Sequence, residues 1–183
     1  MSTQEELRII ALAEFASAGY SATSLQRIAE LAGVSKSSVL YHFASKEHLL
    51  EAAIGPAIDR MEAVLAPLEG TGLGRERRAF LEGFVDFLLE YRLEVNMFIN
   101  QGSSLVDVPV IERANTVVAH LAEFFSRNSQ SLEENMRFGI ALGGAAYMLC
   151  TAHALGLDVT PADEIRAALI TIMNELLAPV STS

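Results

Sequence analysis

The chain has 183 residues, 51% of them hydrophobic and 20% charged, with a formal net charge of −10. This balance excludes a disordered chain, and the acidity argues against a general nucleic-acid binder, because a negative body repels phosphates over about a Debye length. The single cysteine, Cys150, excludes an internal disulfide framework and fits a reducing compartment, and no Cys/His spacing of a metal site occurs.

Helical signals follow one another from the start. Thr3 and Glu6 make a capping-box pair ahead of the stripe Leu7, Ile10, Ala11, Phe15 and Ala18, which stops at Gly19. Thr23 or Ser24 caps a short second helix with Leu25, Ile28, Ala29 and Ala32 at i, i+3, i+4 and i+7, closed by Gly33. Ser35 caps a third helix ending near His42 or Phe43, and Val34 and Val39 have the spacing of a hydrophobic staple. Ser45 caps a fourth, with an apolar stripe from Leu49 to Leu65. A kink or break is expected inside it at Gly55-Pro56, where a backbone N–H is missing and a ring clashes with the preceding turn.

Beyond it, EGTGLG (Glu69 to Gly74) predicts a loop, after which the stripe resumes through Phe80, Phe84, Phe87, Leu88 and Tyr91. Pro109 suits the first turn of a helix through Val117, Leu121 and Phe125, and Thr160, Pro161 and Asp163 open a last one. Phe138 to Leu157 carries no formal charge and has about the length of a bilayer span. Its apolarity comes from Ala and Gly, Thr151 and His153 interrupt it, and no basic cluster flanks it, so it reads as a helix buried by protein on most sides. The N-terminus lacks the pattern of a secretory signal, and the expectation is a cytoplasmic protein without membrane contact. No strand alternation, repeat or low-complexity tract is present, and the class is all-α.

The stretch GVSKSSVLYHFASKEHLL (Gly33 to Leu50) stands apart. It gathers Ser35, Lys36, Ser37, Ser38, Tyr41, His42 and Lys46 while offering little to a core. From Ser21 to His48, Arg27, Lys36 and Lys46 outnumber Glu30 and Glu47, so the segment is locally positive within an acidic chain. Helix, glycine turn, helix is the spacing of a helix-turn-helix, whose second helix enters the DNA major groove. Leu25, Ile28, Ala29, Val34, Val39 and Leu40 are expected to pack the pair onto helix one. Lys36, Ser37, Ser38 and Tyr41 then face outward, where small hydroxyls permit close approach and a lysine can meet guanine acceptors.

Phe15, Gly19, Tyr20, Thr23, Ser24, Ile28, Ala29, Ala32, Gly33, Val34, Ser35, Tyr41, Phe43, Lys46 and Leu49 stand where the tetracycline-repressor (TetR) family of bacterial transcription regulators places its recurring residues. The resemblance covers roughly the first fifty residues, including the GVS turn, the Y-x-F ending and the K-E-x-L that follows. It implies an N-terminal three-helix DNA-binding domain over 1–48 and a larger helical ligand-binding and dimerisation domain over 49–183. It also implies a homodimer on a palindromic double-stranded operator, most often a repressor released by a small molecule. By position, Ser24, Ser35, Tyr41, His42 and Lys46 resemble phosphate contacts, with Arg27 added, while Lys36, Ser37 and Ser38 resemble base-facing residues. The third helix lacks Arg, Asn and Gln, so its direct code is thin and DNA shape is expected to contribute.

For the larger domain, the expected dimer surface uses the last two helices, with Gly139, Gly143, Gly144, Ala145 and Ala146 allowing close approach and Leu169, Ile172, Met173 and Leu176 joining. The pocket candidates are Phe84, Phe87, Met97, Phe98, His120, Phe124, Tyr147 and Cys150. Their character suggests a neutral or lipophilic effector; no cofactor or metal is expected. Cys150 and His153, one helical turn apart, lack an orienting acid or oxyanion arrangement, and an enzyme is not expected. The alternative reading is a thiol-reactive sensor, or an adaptor that keeps the fold without ligand-induced DNA release.

Overall fold

Serine hydroxyls open one helix after another. In the computed structural model, which describes residues 2–71, 73–151 and 159–178 (the side chains of 69–75 aside), Ser2 accepts from the Glu5 amide (3.2 Å) to start α1, Thr3–Ala18. The start is thus set by Ser2 with Glu5 rather than by Thr3 with Glu6: both pairs have the capping spacing, and the earlier hydroxyl takes the open N–H. Ser24 caps α2 (Leu25–Leu31) through the Arg27 amide, and Ser35 caps α3 (Lys36–His42) through the Ser38 amide, each at 3.1 Å. Ser45 does the same for α4 (Lys46–Thr71) through the His48 amide at 3.3 Å. Each such cap is worth about 1 kcal/mol.

Two glycines end the first two helices. Gly19 (φ 93°) follows α1, and Gly33 (φ 65°) follows α2. At Gly33 the Val34 amide reaches back to Ala29 O (2.9 Å) and the Gly33 amide to Glu30 O (3.2 Å), a paired closure that satisfies the last carbonyls and needs the left-handed conformation.

The remaining helices are α5 (Leu73–Glu90), α6 (Arg92–Gln101) followed by a 3-10 turn at Gly102–Ser104, α7 (Pro109–Asn128), α8 (Leu132–Cys150) and α9 (Ala162–Leu176). Among the described residues no strand occurs, and the class is all-α as expected. The expected breakers interrupt less of the helix than their residue types suggest. The loop predicted over Glu69–Gly74 is helical up to Thr71 and again from Leu73, with Gly72 outside the described residues. Nor does Gly55-Pro56 break α4, which is helical through both residues. A proline inside a helix costs ~3 kcal/mol, and burial of Ala53, Ile54, Ala57 and Ile58 around it outweighs that.

The chain divides into two compact units: Met1–Asp59 with Leu93–Ala114, and Arg60–Arg92 with Asn115–Ser183. In the first, Leu7, Ala11, Phe15, Ile28, Ala29, Val39, Leu49, Leu50 and Ile111 are fully buried. In the second, α5 packs on α9 and α8, and α8 on α9. Its centre is aromatic: Phe125 stacks on Phe138 (4.2 Å between centroids), and Phe80 lies 5.6 Å from Phe125 and 5.8 Å from Phe84. Arg166 of α9 forks onto Asp86 of α5 (2.5 and 2.9 Å), which holds the Asp86 carboxyl below the usual carboxylate range. Arg77 and Arg137 donate to the Leu177 and Leu176 carbonyls, placing two cations at the C-terminal end of α9, where the helix dipole favours them.

Candidate nucleic-acid interface

The third helix is anchored by one side chain. Val39 is fully buried, Ser38 and His42 are half-buried, and Lys36, Ser37, Leu40 and Tyr41 are exposed. Tyr41 keeps 86% of its surface, so it is no core aromatic; its ring meets only the edge of His42 (5.2 Å). Leu40, expected to pack inward, is 42% exposed instead. With 100° per residue and Val39 aimed at the core, a seven-residue helix has no room for a second inward position beside it.

The open face therefore carries Lys36, Ser37, Leu40 and Tyr41, flanked by the half-buried Ser38 and His42. Ser35, at the helix start, shares a hydrogen bond with the Ser37 hydroxyl (2.8 Å) while also capping the Ser38 amide. The first turn of α3 is without an acidic residue, so its free N–H groups face no competing carboxylate from their own helix. Ser24 is exposed at the start of α2, and Arg27, also exposed, is held by Glu14 of α1 (3.2 Å). Lys46 departs from the rest. It is half-buried, and its ammonium lies 4.1 Å above the Tyr20 ring, where burial lowers its pKa. The structure thus brings Lys36, Ser37 and Tyr41 onto one helix face, with Ser24 and Arg27 on α2 and Lys46 turned against an aromatic ring.

Sequence reasoning missed the role of Tyr20 beneath Lys46. The Tyr20 hydroxyl is buried near the Glu47 carboxylate, and burial together with that carboxylate pushes its pKa up to about 12. It also missed Gln101, whose side-chain amide bonds the Tyr20 amide and the Phe15 carbonyl.

The family model of bacterial regulatory proteins, tetR family, matches residues 10–53, the segment that holds these helices. The HTH-type transcriptional activator FasR of Mycolicibacterium smegmatis is 32% identical over 155 residues, spanning 81% of this chain and 69% of that one. The chain belongs to the tetR family. A second tetR-family relative, the HTH-type transcriptional regulator RutR of Escherichia coli, is 36% identical over 111 residues, or 61% of this chain; the match spans only about half, 49%, of RutR. In fold, the chain is similar to the ketosteroid transcriptional regulator KstR2 of Mycobacterium tuberculosis, with a TM-score of 0.74 at 16% identity, covering 96% of this chain and 93% of that one. TetR-family proteins are regulators and not enzymes, which removes the pairing of Cys150 with His153 as a catalytic couple; His153 lies outside the described residues.

In this tetR-family chain the pocket candidates are distributed over both compact units. Phe84 and Phe87 are buried in the aromatic core of the second unit, and Phe124 is half-buried edge-on to Phe125 (5.3 Å). Met97, fully buried, and Phe98, half-buried, belong to the first unit. His120 and Tyr147 are exposed in the single chain. Cys150 is half-buried, and burial pushes its thiol up, away from the thiolate form a reactive sensor needs. A half-open pocket of 220 Å³ lies in the second unit, lined by Arg60, Val64, Leu68, Glu76, Phe80 and Gly83 among others.

The glycine-rich helix α8 is open as well. It buries Phe138, Ala141, Leu142, Ala145 and Leu149 but exposes Leu132, Met136, Ile140, Tyr147 and Met148. A methyl placed on Gly139, Gly143 or Gly144 would meet no atom within 4 Å. Within the single chain only one side of α8 is covered, and residues 152–157 of the stretch expected to be enclosed by protein lie outside the described residues. On α9, Leu169 and Met173 are buried within the chain, while Ile172 is exposed. Among the described residues no helix is long and apolar enough to cross a membrane, and no cluster of three metal-ligating side chains occurs.

Proposed function

We propose that this protein is a sequence-specific transcriptional regulator that binds a palindromic operator as a homodimer and, as a repressor, leaves it when a neutral or lipophilic small molecule binds the larger helical part. The observation that carries the DNA reading is α3 itself: a helix held by one buried valine that presents Lys36, Ser37 and Tyr41 to solvent from a locally positive segment of an acidic chain. In this reading residues 1–48 form the DNA-binding part and 49–183 the ligand and dimer part. Lys36, Ser37 and Ser38 read base edges; Ser24, Arg27, Ser35, Tyr41, His42 and Lys46 hold phosphates. The exposed apolar face of α8, with Ile172 of α9, supports self-association.

One observation favours a second sign of regulation. FasR, a relative matching 81% of this chain, is an activator by name, so occupancy of the operator would then raise transcription. A mobility shift with fragments of the encoding genome tests DNA binding, and transcription from the recovered promoter with and without the protein decides the sign. If each subunit holds about three to five phosphates, the log–log salt slope of a dimer lies at roughly −5 to −9. A flat slope, or no shifted fragment at modest ionic strength, overturns the proposal.

A further inference from the structure

Where α1 stops, the chain turns through Gly19 between two backbone groups: the Phe15 carbonyl, which accepts from the Gly19 N–H (3.2 Å), and the Tyr20 N–H. One side chain closes both. Gln101, the last residue of α6, accepts from Tyr20 N at Oε1 (2.7 Å) and donates from Nε2 to Phe15 O (2.8 Å). The N–H can only donate and the carbonyl can only accept, which fixes the orientation of the amide. No charged side chain offers both functions at once at neutral pH. Gln101 is itself held by the turn that follows, where its carbonyl accepts from the Ser104 hydroxyl (2.8 Å) and Gly102 sits so close to the Phe98 ring that a Cβ would lie 3.3 Å from it.

Tyr20 carries this further. Its ring tilts against Phe15 (5.2 Å between centroids), is almost fully buried, and supports the Lys46 ammonium at 4.1 Å. Lys46 begins α4, four residues past the end of α3. A lysine has four rotatable side-chain bonds to order when it meets a phosphate, and a ring that already carries its head removes part of that loss beforehand. All of these residues lie within one compact unit.

We infer that Gln101 is a positioning residue for DNA binding: by fixing the backbone of Tyr20 it sets the aromatic seat of Lys46, and so the point at which that ammonium meets the DNA backbone. The inference rests on the DNA-binding reading above. Its test uses the full chain and a duplex that the wild-type protein selects from a random-sequence library. Gln101→Met keeps the stem and removes both bonds; Gln101→Glu keeps the acceptor for Tyr20 but sets a carboxylate against the Phe15 carbonyl.

Gln101→Met is expected to weaken binding roughly tenfold, the scale of two modest hydrogen bonds. The salt slope of the dimer becomes shallower by about 2, one phosphate per subunit, as it does for Lys46→Ala. The double variant loses no more than Lys46→Ala alone, because the two changes act on one contact. Gln101→Glu, compared with wild type at each pH, binds weakly at pH 8 and recovers as the pH falls and the carboxyl gains a proton to donate to Phe15, while Gln101→Met shows no such recovery. Melting curves of each variant keep loss of fold apart from loss of contact. Wild-type salt slope with Gln101→Met, or additive losses in the double variant, overturns the role of Gln101 and leaves the DNA reading standing; a wild-type protein that selects no duplex overturns both.

Discussion

Helices α3 and α8 both leave much of their surface uncovered, with opposite chemistry. The outward side of α3 carries lysine, serine and a tyrosine with a single exposed leucine, Leu40; that of α8 carries Leu132, Met136, Ile140 and Tyr147 around bare glycines. Water satisfies the first at no cost and leaves the second with apolar area still to bury. A hydroxyl- and lysine-bearing face suits a charged, hydrated partner such as a phosphate backbone, whereas a glycine-notched apolar face suits another closely packed helix. Reading what each helix leaves exposed therefore says more about partners than reading what it buries.

The largest expected effect strikes the apolar face. Ile140→Asp, on a residue 64% exposed in the single chain, should cost the homodimer about 4 kcal/mol, close to a thousandfold in its dissociation constant by sedimentation equilibrium. An unchanged dimer would break the comparison by giving the α8 face to some other partner. On the polar face, Lys36→Ala is expected to cost about 1–3 kcal/mol on the selected operator, less on random DNA, and almost nothing in urea denaturation. Equal losses on both DNAs would make Lys36 a phosphate contact.

Glycines sharpen the contrast through opposite signs. Gly33→Ala meets no neighbouring atom but forces a side chain to φ 65°, and should destabilise by ~1 kcal/mol. Gly143→Ala, in an ordinary helical conformation with open space around it, should stabilise the folded monomer by about 0.5–1 kcal/mol.

The smallest effects concern pH, and they fall at opposite ends of the scale. Asp86 is depressed by its fork with Arg166, so its contribution is present above the usual carboxylate range and fades as pH drops through the lowered value; Asp86→Asn should remove that acid step from a melting profile. Tyr20 is raised to about 12 by burial and Glu47, so the stability it lends is intact below the ordinary tyrosine value near 10 and fades as pH climbs towards 12. Tyr20→Phe should lose that alkaline step. A profile unchanged by either substitution would contradict the corresponding buried or paired environment.

Local chemistry made α2 and α3 legible. Ser24, Ser35 and Gly33 act within three or four residues of themselves, through bonds a sequence pattern can contain. The same logic overstated the extent of the interruptions: α4 runs to Thr71 and α5 begins at Leu73 within EGTGLG, and α4 is helical through Gly55 and Pro56, where Ala53, Ile54, Ala57 and Ile58 are buried. Gln101 was beyond reach for a different reason. Its partners lie more than eighty residues away and are backbone groups, so nothing in periodicity or residue type marks it. Phe84 and Met97 are buried in different units while His120 and Tyr147 are exposed in the single chain, and apolar or aromatic character alone does not say which of these places a residue occupies.

The bond between the Ser35 and Ser37 hydroxyls has a further meaning. In an operator complex the Ser37 oxygen would not arrive empty-handed: accepting or donating to a base edge means giving up, sharing or redirecting a bond it already has. The net reward for the right nucleotide is then a small difference between two good arrangements, while a wrong nucleotide simply leaves the serines with each other. Such a residue tolerates mismatches gently, and a regulator built this way is expected to occupy a graded family of related sequences and not a single one.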